Sequence, residues 1–113
     1  MKKGEMAMKK FYLFCDNGMS TSLLAQRMQK VADENSLPIE VKAYSQGKMD
    51  EIITKLNPDV ILLGPQVKHI YEKVKDKYGD LGKPIMVIDT EDYGTMNGER
   101  VLKKALFELK KGR

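Results

Sequence analysis

Residues 11–24 read FYLFCDNGMSTSLL, and the change of pattern inside this stretch decides the fold class. Phe11, Tyr12, Leu13 and Phe14 form an uninterrupted apolar run, the pattern of a buried strand. The run stops at Cys15-Asp16-Asn17-Gly18, a cluster of turn-forming residues. From Ser20 the spacing becomes helical. Leu24, Met28 and Val31 fall on one face, with Gln26, Arg27 and Lys30 pointing elsewhere. A strand, a tight loop and a helix in direct succession open an α/β domain.

The same alternation continues to the end of the chain. Asn35 to Pro38 ends the first helix. Ile39, Val41 and Ala43 then alternate with Glu40, Lys42 and Tyr44, as expected for a half-exposed edge strand. Gly47 opens a helix with Met49, Ile52, Ile53 and Leu56 on one face. Val60 to Leu63 is wholly apolar and suits a central strand covered on both sides. Val67, Ile70, Tyr71, Val74 and Tyr78 predict one further helix, stopped by Gly79 and Gly82. Ile85 to Ile88 reads as a fourth strand, and Asn97-Gly98 leads into a last helix around Leu102, Ala105, Leu106 and Leu109. Four strands alternating with four helices predict an open, four-stranded parallel sheet with helices on both faces.

In 113 residues this amounts to a single domain. Residues 1–8 lack periodicity and read as a flexible N-terminal extension, so the domain is placed at 9–113. Apolar residues at 42% and charged residues at 32% are the balance of an ordinary globular protein. No run approaches the roughly 18 apolar residues of a membrane span, and the first ten residues hold no signal-peptide segment, so a cytoplasmic location is expected. The net charge of +4 is concentrated in lysines and an arginine at the two ends. A basic groove interleaved with aromatic residues is missing, which argues against nucleic-acid binding. No helix is apolar all round and no heptad is sustained, which favours a monomer. No cluster of Cys or His has metal-ligand spacing, and neither a metal nor a cofactor is expected.

One cysteine cannot form an internal disulfide, so Cys15 is either a small buried hydrophobe or a reactive thiol. Its place favours the second. In open parallel sheets ligands bind beyond the carboxyl ends of the strands, where strand order reverses. The loop Cys15-Asp16-Asn17-Gly18-Met19-Ser20-Thr21-Ser22 joins a strand end to a helix start, so successive backbone N–H groups can converge on one anion. Gly18 offers the backbone freedom of a concave turn, and Ser20, Thr21 and Ser22 offer hydroxyl donors. The positive end of a helix also favours the thiolate, which is the nucleophile. His69 sits on a predicted helix without a chemical partner and reads as a surface residue.

Several other phosphate sites are excluded by what is missing. There is no G-x-x-x-x-G-K-[ST] and no G-x-G-x-x-G. Gly64 stands at the end of the third strand where a receiver domain would carry its phosphoacceptor Asp.

Three motifs together point further: C-x-x-G-M-S-T-S-L-L after the first strand, L-L-G-P-Q-V after the third, and Y-G-x-x-N-G-E before the last helix. From about Lys9 onward the chain resembles the lactose/cellobiose/chitobiose-type enzyme IIB of the bacterial phosphoenolpyruvate-dependent sugar phosphotransferase system. The resemblance implies a phosphocarrier, a transferase component that takes a phosphoryl group from a phosphohistidine on IIA. Cys15 would hold it and pass it to a β-linked disaccharide, cellobiose, chitobiose or lactose, imported by the membrane permease IIC. The protein would then visit the inner face of the membrane through IIC. Carried over by residue, Cys15 is the phosphoacceptor, Asp16, Asn17, Gly18, Met19, Ser20, Thr21 and Ser22 are the phosphate loop, and Gly64, Pro65 and Gln66 are a wall of the site. Tyr93 and Gly94 match the third motif and equally suit a turn. Met19 would serve either the core or a partner contact.

The family fold also resembles low-molecular-weight protein tyrosine phosphatases, which makes a Cys-dependent phosphatase or arsenate reductase-like enzyme the alternative. Those enzymes use C-x5-R-[ST], and Thr21 occupies the arginine's place. Asp89, Glu91 and Asp92 follow the fourth strand, near where such phosphatases keep their general acid. Asp16 departs from the small neutral residue usual beside the cysteine, and its carboxylate opposes both a thiolate and a phosphate.

Overall fold

The computed structural model describes residues 8–16 and 19–111, and of Met19 and Ser20 the backbone alone. Strand β1 (Lys9–Cys15) is followed by helix α1 (Met19–Glu34), β2 (Ile39–Ser45), α2 (Met49–Leu56), β3 (Val60–Leu63), α3 (Tyr71–Tyr78), β4 (Ile85–Val87), α4 (Thr90–Gly94) and α5 (Gly98–Lys111). Short 3-10 turns cover Gln46–Lys48, Pro65–Ile70 and Gly79–Leu81. All strand pairs are parallel, in the order β2-β1-β3-β4.

Strand pleating divides β1 between two cores. Phe11 and Leu13 pack with Leu24, Ala25 and Met28 of α1 and Val101, Leu102 and Ala105 of α5. Tyr12 and Phe14 pack on the opposite face with Met49 and Ile53 of α2 and Val74 and Tyr78 of α3. Helices therefore cover both faces of the sheet. The four residues of β3 are completely buried, which is why its sequence is apolar without alternation. Each such side chain contributes about 1.5–3 kcal/mol of burial free energy.

The alternating strand β2 is indeed an edge, and α1 closes its outer side. Gln29 donates to the Ile39 carbonyl at 2.8 Å and accepts from the Val41 N–H at 2.8 Å, which pairs backbone groups that an edge would leave open. Tyr12 donates to Glu40 at 2.7 Å. Burial, then this carboxylate, pushes the Tyr12 phenol well above its ordinary range.

Two elements differ from the sequence reading. The expected single helix through Val67 and Tyr78 is broken: Pro65–Ile70 winds as a 3-10 turn, and Val67 at φ −116°, ψ 23° leaves helical geometry. Pro65 and the Val67 N–H, which donates to the Gly64 carbonyl at 3.0 Å, tighten this turn directly against β3. The count of four helices becomes five α-helices among the described residues, because α4 lies between β4 and α5. Asp89 caps it, accepting from the N–H groups of Glu91 and Asp92. Five residues are too few to show helical periodicity.

Candidate phosphoryl site

The chain leaves β1 for β2 on one side and later returns to β3 on the other, so the carboxyl ends of β1 and β3 form the point where strand order reverses. Cys15 is the last residue of β1, opposite Ser45 of β2. Its pleat parity matches Phe11 and Leu13, the α1 side of the sheet. The side chain is a free thiol and is buried. On the other flank, the Gly64 N–H donates to the Phe14 carbonyl at 2.9 Å and extends the β1–β3 ladder by one step.

Gly64 lies close to the Cys15 side chain. A methyl group there would stand 3.2 Å from the Cys15 Cβ and 2.8 Å from Gln66 Oε1. The Gln66 side chain thus folds back over Gly64, and Pro65 is half-buried between them. The backbone at Gly64, φ −64° and ψ 154°, suits any residue, so only space demands glycine here. Gly64→Ala is expected to cost about 1–2 kcal/mol, an ordinary overpacking penalty. Phosphoryl acceptance by Cys15 should fall more than this stability loss accounts for, because the new methyl presses on the residue that bears the thiol. Thermal melting and the phosphorylation rate, measured on the same samples, check this.

The loop residues are distributed as follows. Asp16 is exposed, and Asn17 and Gly18, with the concave turn expected there, lie outside the described residues, as do the side chains of Met19 and Ser20. The backbone of α1 begins at Met19, four positions after Cys15, and its first turn contains no acidic residue. No acidic side chain of that turn therefore offsets the positive end of the helix dipole. Ser22 is exposed, whereas Thr21 is completely buried. Thr21 Oγ1 lies 3.1 Å from the Tyr93 hydroxyl, with either oxygen as donor. That pairing spans 72 positions, and local periodicity holds no trace of it. The signal available in the sequence was the Y-G-x-x-N-G-E motif, which has no turn-geometry need for a tyrosine.

Of the three acids after β4, Asp89 and Asp92 have structural partners, and Glu91 is exposed. Asp89 is the cap of α4. Asp92 is 3% exposed and is held by Lys104 at 2.7 Å and Arg100 at 3.3 Å, both on α5. His69 is exposed on the 3-10 turn after β3.

The model of the "PTS system, Lactose/Cellobiose specific IIB subunit" family matches residues 10–104. The chain belongs to this IIB family. The galactose-specific EIIB component of Lactococcus lactis subsp. cremoris is 44% identical over 103 residues, covering 88% of this chain and 95% of that protein. The cellobiose-specific EIIB component of Lactococcus lactis subsp. lactis is 43% identical over the same shares of both chains. The solution structure of the cellobiose-specific IIB component from Borrelia burgdorferi superposes with a TM-score of 0.75 at 34% identity, covering 94% of this chain and 95% of that one. The lactose-specific IIB domain from Streptococcus pneumoniae, at 20% identity, has the same fold, with a TM-score of 0.80 over 89% of this chain and 97% of that domain.

This IIB chain is accordingly a phosphocarrier and transferase component that works with IIA- and IIC-type components on a sugar. The phosphocarrier reading prevails over the phosphatase alternative. Among the described residues, no helix is long and apolar enough to cross a membrane.

Proposed function

We propose that Cys15 is the phosphoacceptor, receiving its phosphoryl group from a phosphohistidine of IIA and giving it to a β-linked disaccharide imported by IIC. The Cys15 thiolate attacks phosphorus, an S–P bond forms, and the P–N bond of phosphohistidine breaks. The imidazole nitrogen leaves with the electron pair. In the second step a sugar hydroxyl attacks the same phosphorus, the S–P bond breaks, the thiolate is regenerated, and the hydroxyl proton passes to solvent or to a base on IIC.

The observation that carries this reading is the position of Cys15, at the carboxyl end of the central strand and against Gly64, where strand order reverses. The loop from Asp16 to Ser22 is the proposed cradle, with the first-turn N–H groups of α1 as its donors. Neutral donors hold the phosphoryl group with less stabilisation of a hydrolytic transition state than an arginine clamp supplies. A carrier needs that restraint, since its thiophosphate must survive until it meets the next partner. Residues 9–113 are taken as one IIB domain preceded by an eight-residue extension. The chain is read as a cytoplasmic monomer that meets the membrane through IIC. Cellobiose, chitobiose and lactose all fit, with the choice resting on the permease.

The test combines the protein with phosphoenolpyruvate, the general phosphotransferase proteins and a cellobiose-type IIA, followed by intact mass spectrometry. One added phosphoryl group, stable on the time scale of the experiment, is the expected result. Absence of the adduct, together with Cys15-dependent hydrolysis of an aryl phosphate, would transfer the assignment to the phosphatase.

A further inference from the structure

Thr21 is the third residue of α1, six positions after Cys15, and it has no solvent exposure. A buried hydroxyl needs a partner, and Tyr93 provides it at 3.1 Å. Tyr93 is not free to follow Thr21. It projects from α4, which Asp89 caps at one end and which Asp92 ties to α5 through Lys104 and Arg100. Beyond the tyrosine, the Asn97 N–H donates to the Asp92 carbonyl at 2.9 Å and closes the connection into α5. The phenol is therefore a fixed post, and the first turn of α1 is the part that registers to it. The direction of that turn decides where its N–H groups point.

We propose that Tyr93 is a positioning residue for phosphoryl acceptance: its hydroxyl, through Thr21, fixes the direction of the first turn of α1, whose N–H groups serve the Cys15 sulfur. This rests on the reading of Cys15 as phosphoacceptor. Tyr93 acts through Thr21, so its effect lies in the rate of the chemical step and not in the docking of IIA.

The experiment uses the full chain with Tyr93→Phe, Thr21→Val, Thr21→Ser and the Tyr93→Phe/Thr21→Val double variant. Phosphoryl transfer from phospho-IIA is measured as kcat and KM. Tyr93→Phe keeps the ring and its packing, and is expected to lower kcat about tenfold, less than the roughly 100-fold or greater loss when a directly contacting donor is removed. KM for IIA should stay within about twofold, since uniform binding is untouched. Thr21→Val should match Tyr93→Phe, the double variant should be no slower than either single one, and Thr21→Ser should recover most of the rate. Wild-type kcat in Tyr93→Phe, or single effects that multiply in the double variant, would overturn the proposal.

A second readout needs no partner: the rate at which iodoacetamide alkylates Cys15 at neutral pH. It should fall in Tyr93→Phe and be restored in Thr21→Ser relative to Thr21→Val. Equal alkylation rates in wild type and Tyr93→Phe would refute the positioning role by themselves. A wild-type protein that takes no phosphoryl group from IIA would instead remove the phosphocarrier reading, and alkylation would still decide the role of Tyr93.

Discussion

Cys15→Ser is expected to abolish phosphoryl acceptance, with transfer from IIA at least about a thousandfold slower than in the wild type, the scale on which an unactivated nucleophile fails. The sulfur reacts without a base beside it, because it is intrinsically far more nucleophilic than a hydroxyl oxygen. A serine hydroxyl needs a base beside it. Among the described residues, the groups that strand register and close packing bring to Cys15 are Ser45 and Gly64, and neither is a base at neutral pH. The substitution is nearly isosteric, but it places a hydroxyl in a site that is 2% exposed, and the cost is about 1–2 kcal/mol if that hydroxyl finds only a poor partner. A fall of several degrees in melting temperature is therefore compatible with the prediction, while loss of fold by circular dichroism is not. Intact mass spectrometry of the variant after exposure to phospho-IIA is the deciding measurement. An adduct that survives in Cys15→Ser would locate the acceptor elsewhere, and His69, the one histidine of the chain, would be next in line. Its exposed place on the 3-10 turn predicts the opposite: His69→Ala should transfer at the wild-type rate.

The path from residue pattern to site was short at Cys15 and long at Tyr93, for a physical reason. The change from the apolar run Phe11 to Phe14 to the helical spacing of Leu24 and Met28 is a local signal, and it places Cys15 at a strand end without any knowledge of the rest of the chain. The proximity of Gly64 to Cys15 depends on β3 returning beside β1, which periodicity does not specify. It was legible only through the resemblance that links the two motifs. The Thr21–Tyr93 hydrogen bond is longer-ranged still, and it relies on α4, a helix too short to announce itself. Asp89 and Asp92 show the converse error of reading chemistry into acids near a strand end. One is a helix cap and the other a buried anchor for Lys104 and Arg100, roles set by neighbours on α4 and α5. Asn97-Gly98 reads in the sequence only as the lead into the last helix, yet the decisive neighbour of Gly98 is a different helix.

Gly98→Ala is expected to destabilise the protein by about 3 kcal/mol, the upper end of overpacking costs. At this chain length such a loss lowers the melting temperature by roughly 10 °C or more. A Cβ at position 98 would lie 2.8 Å from the Arg27 carbonyl carbon, 2.8 Å from the Met28 nitrogen and 2.9 Å from the Arg27 Cβ. Two of these three atoms are backbone, so no rotamer change relieves the overlap. The start of α5 must withdraw from the middle of α1, and the core shared by Met28, Val101 and Leu102 opens with it. Intrinsic propensity acts in the other direction, since alanine is favoured over glycine in a helix by about 1 kcal/mol. Gly94 separates the two effects. It ends α4, is exposed, and a Cβ there meets nothing within 4 Å, so Gly94→Ala should leave the melting temperature unchanged or slightly raised. Melting curves of both variants beside the wild type supply the comparison. If Gly98→Ala melts with Gly94→Ala, α1 and α5 do not meet as closely as described. If it melts well below, the glycine is required by the contact between the two helices, and the same contact holds α1 in place on the sheet.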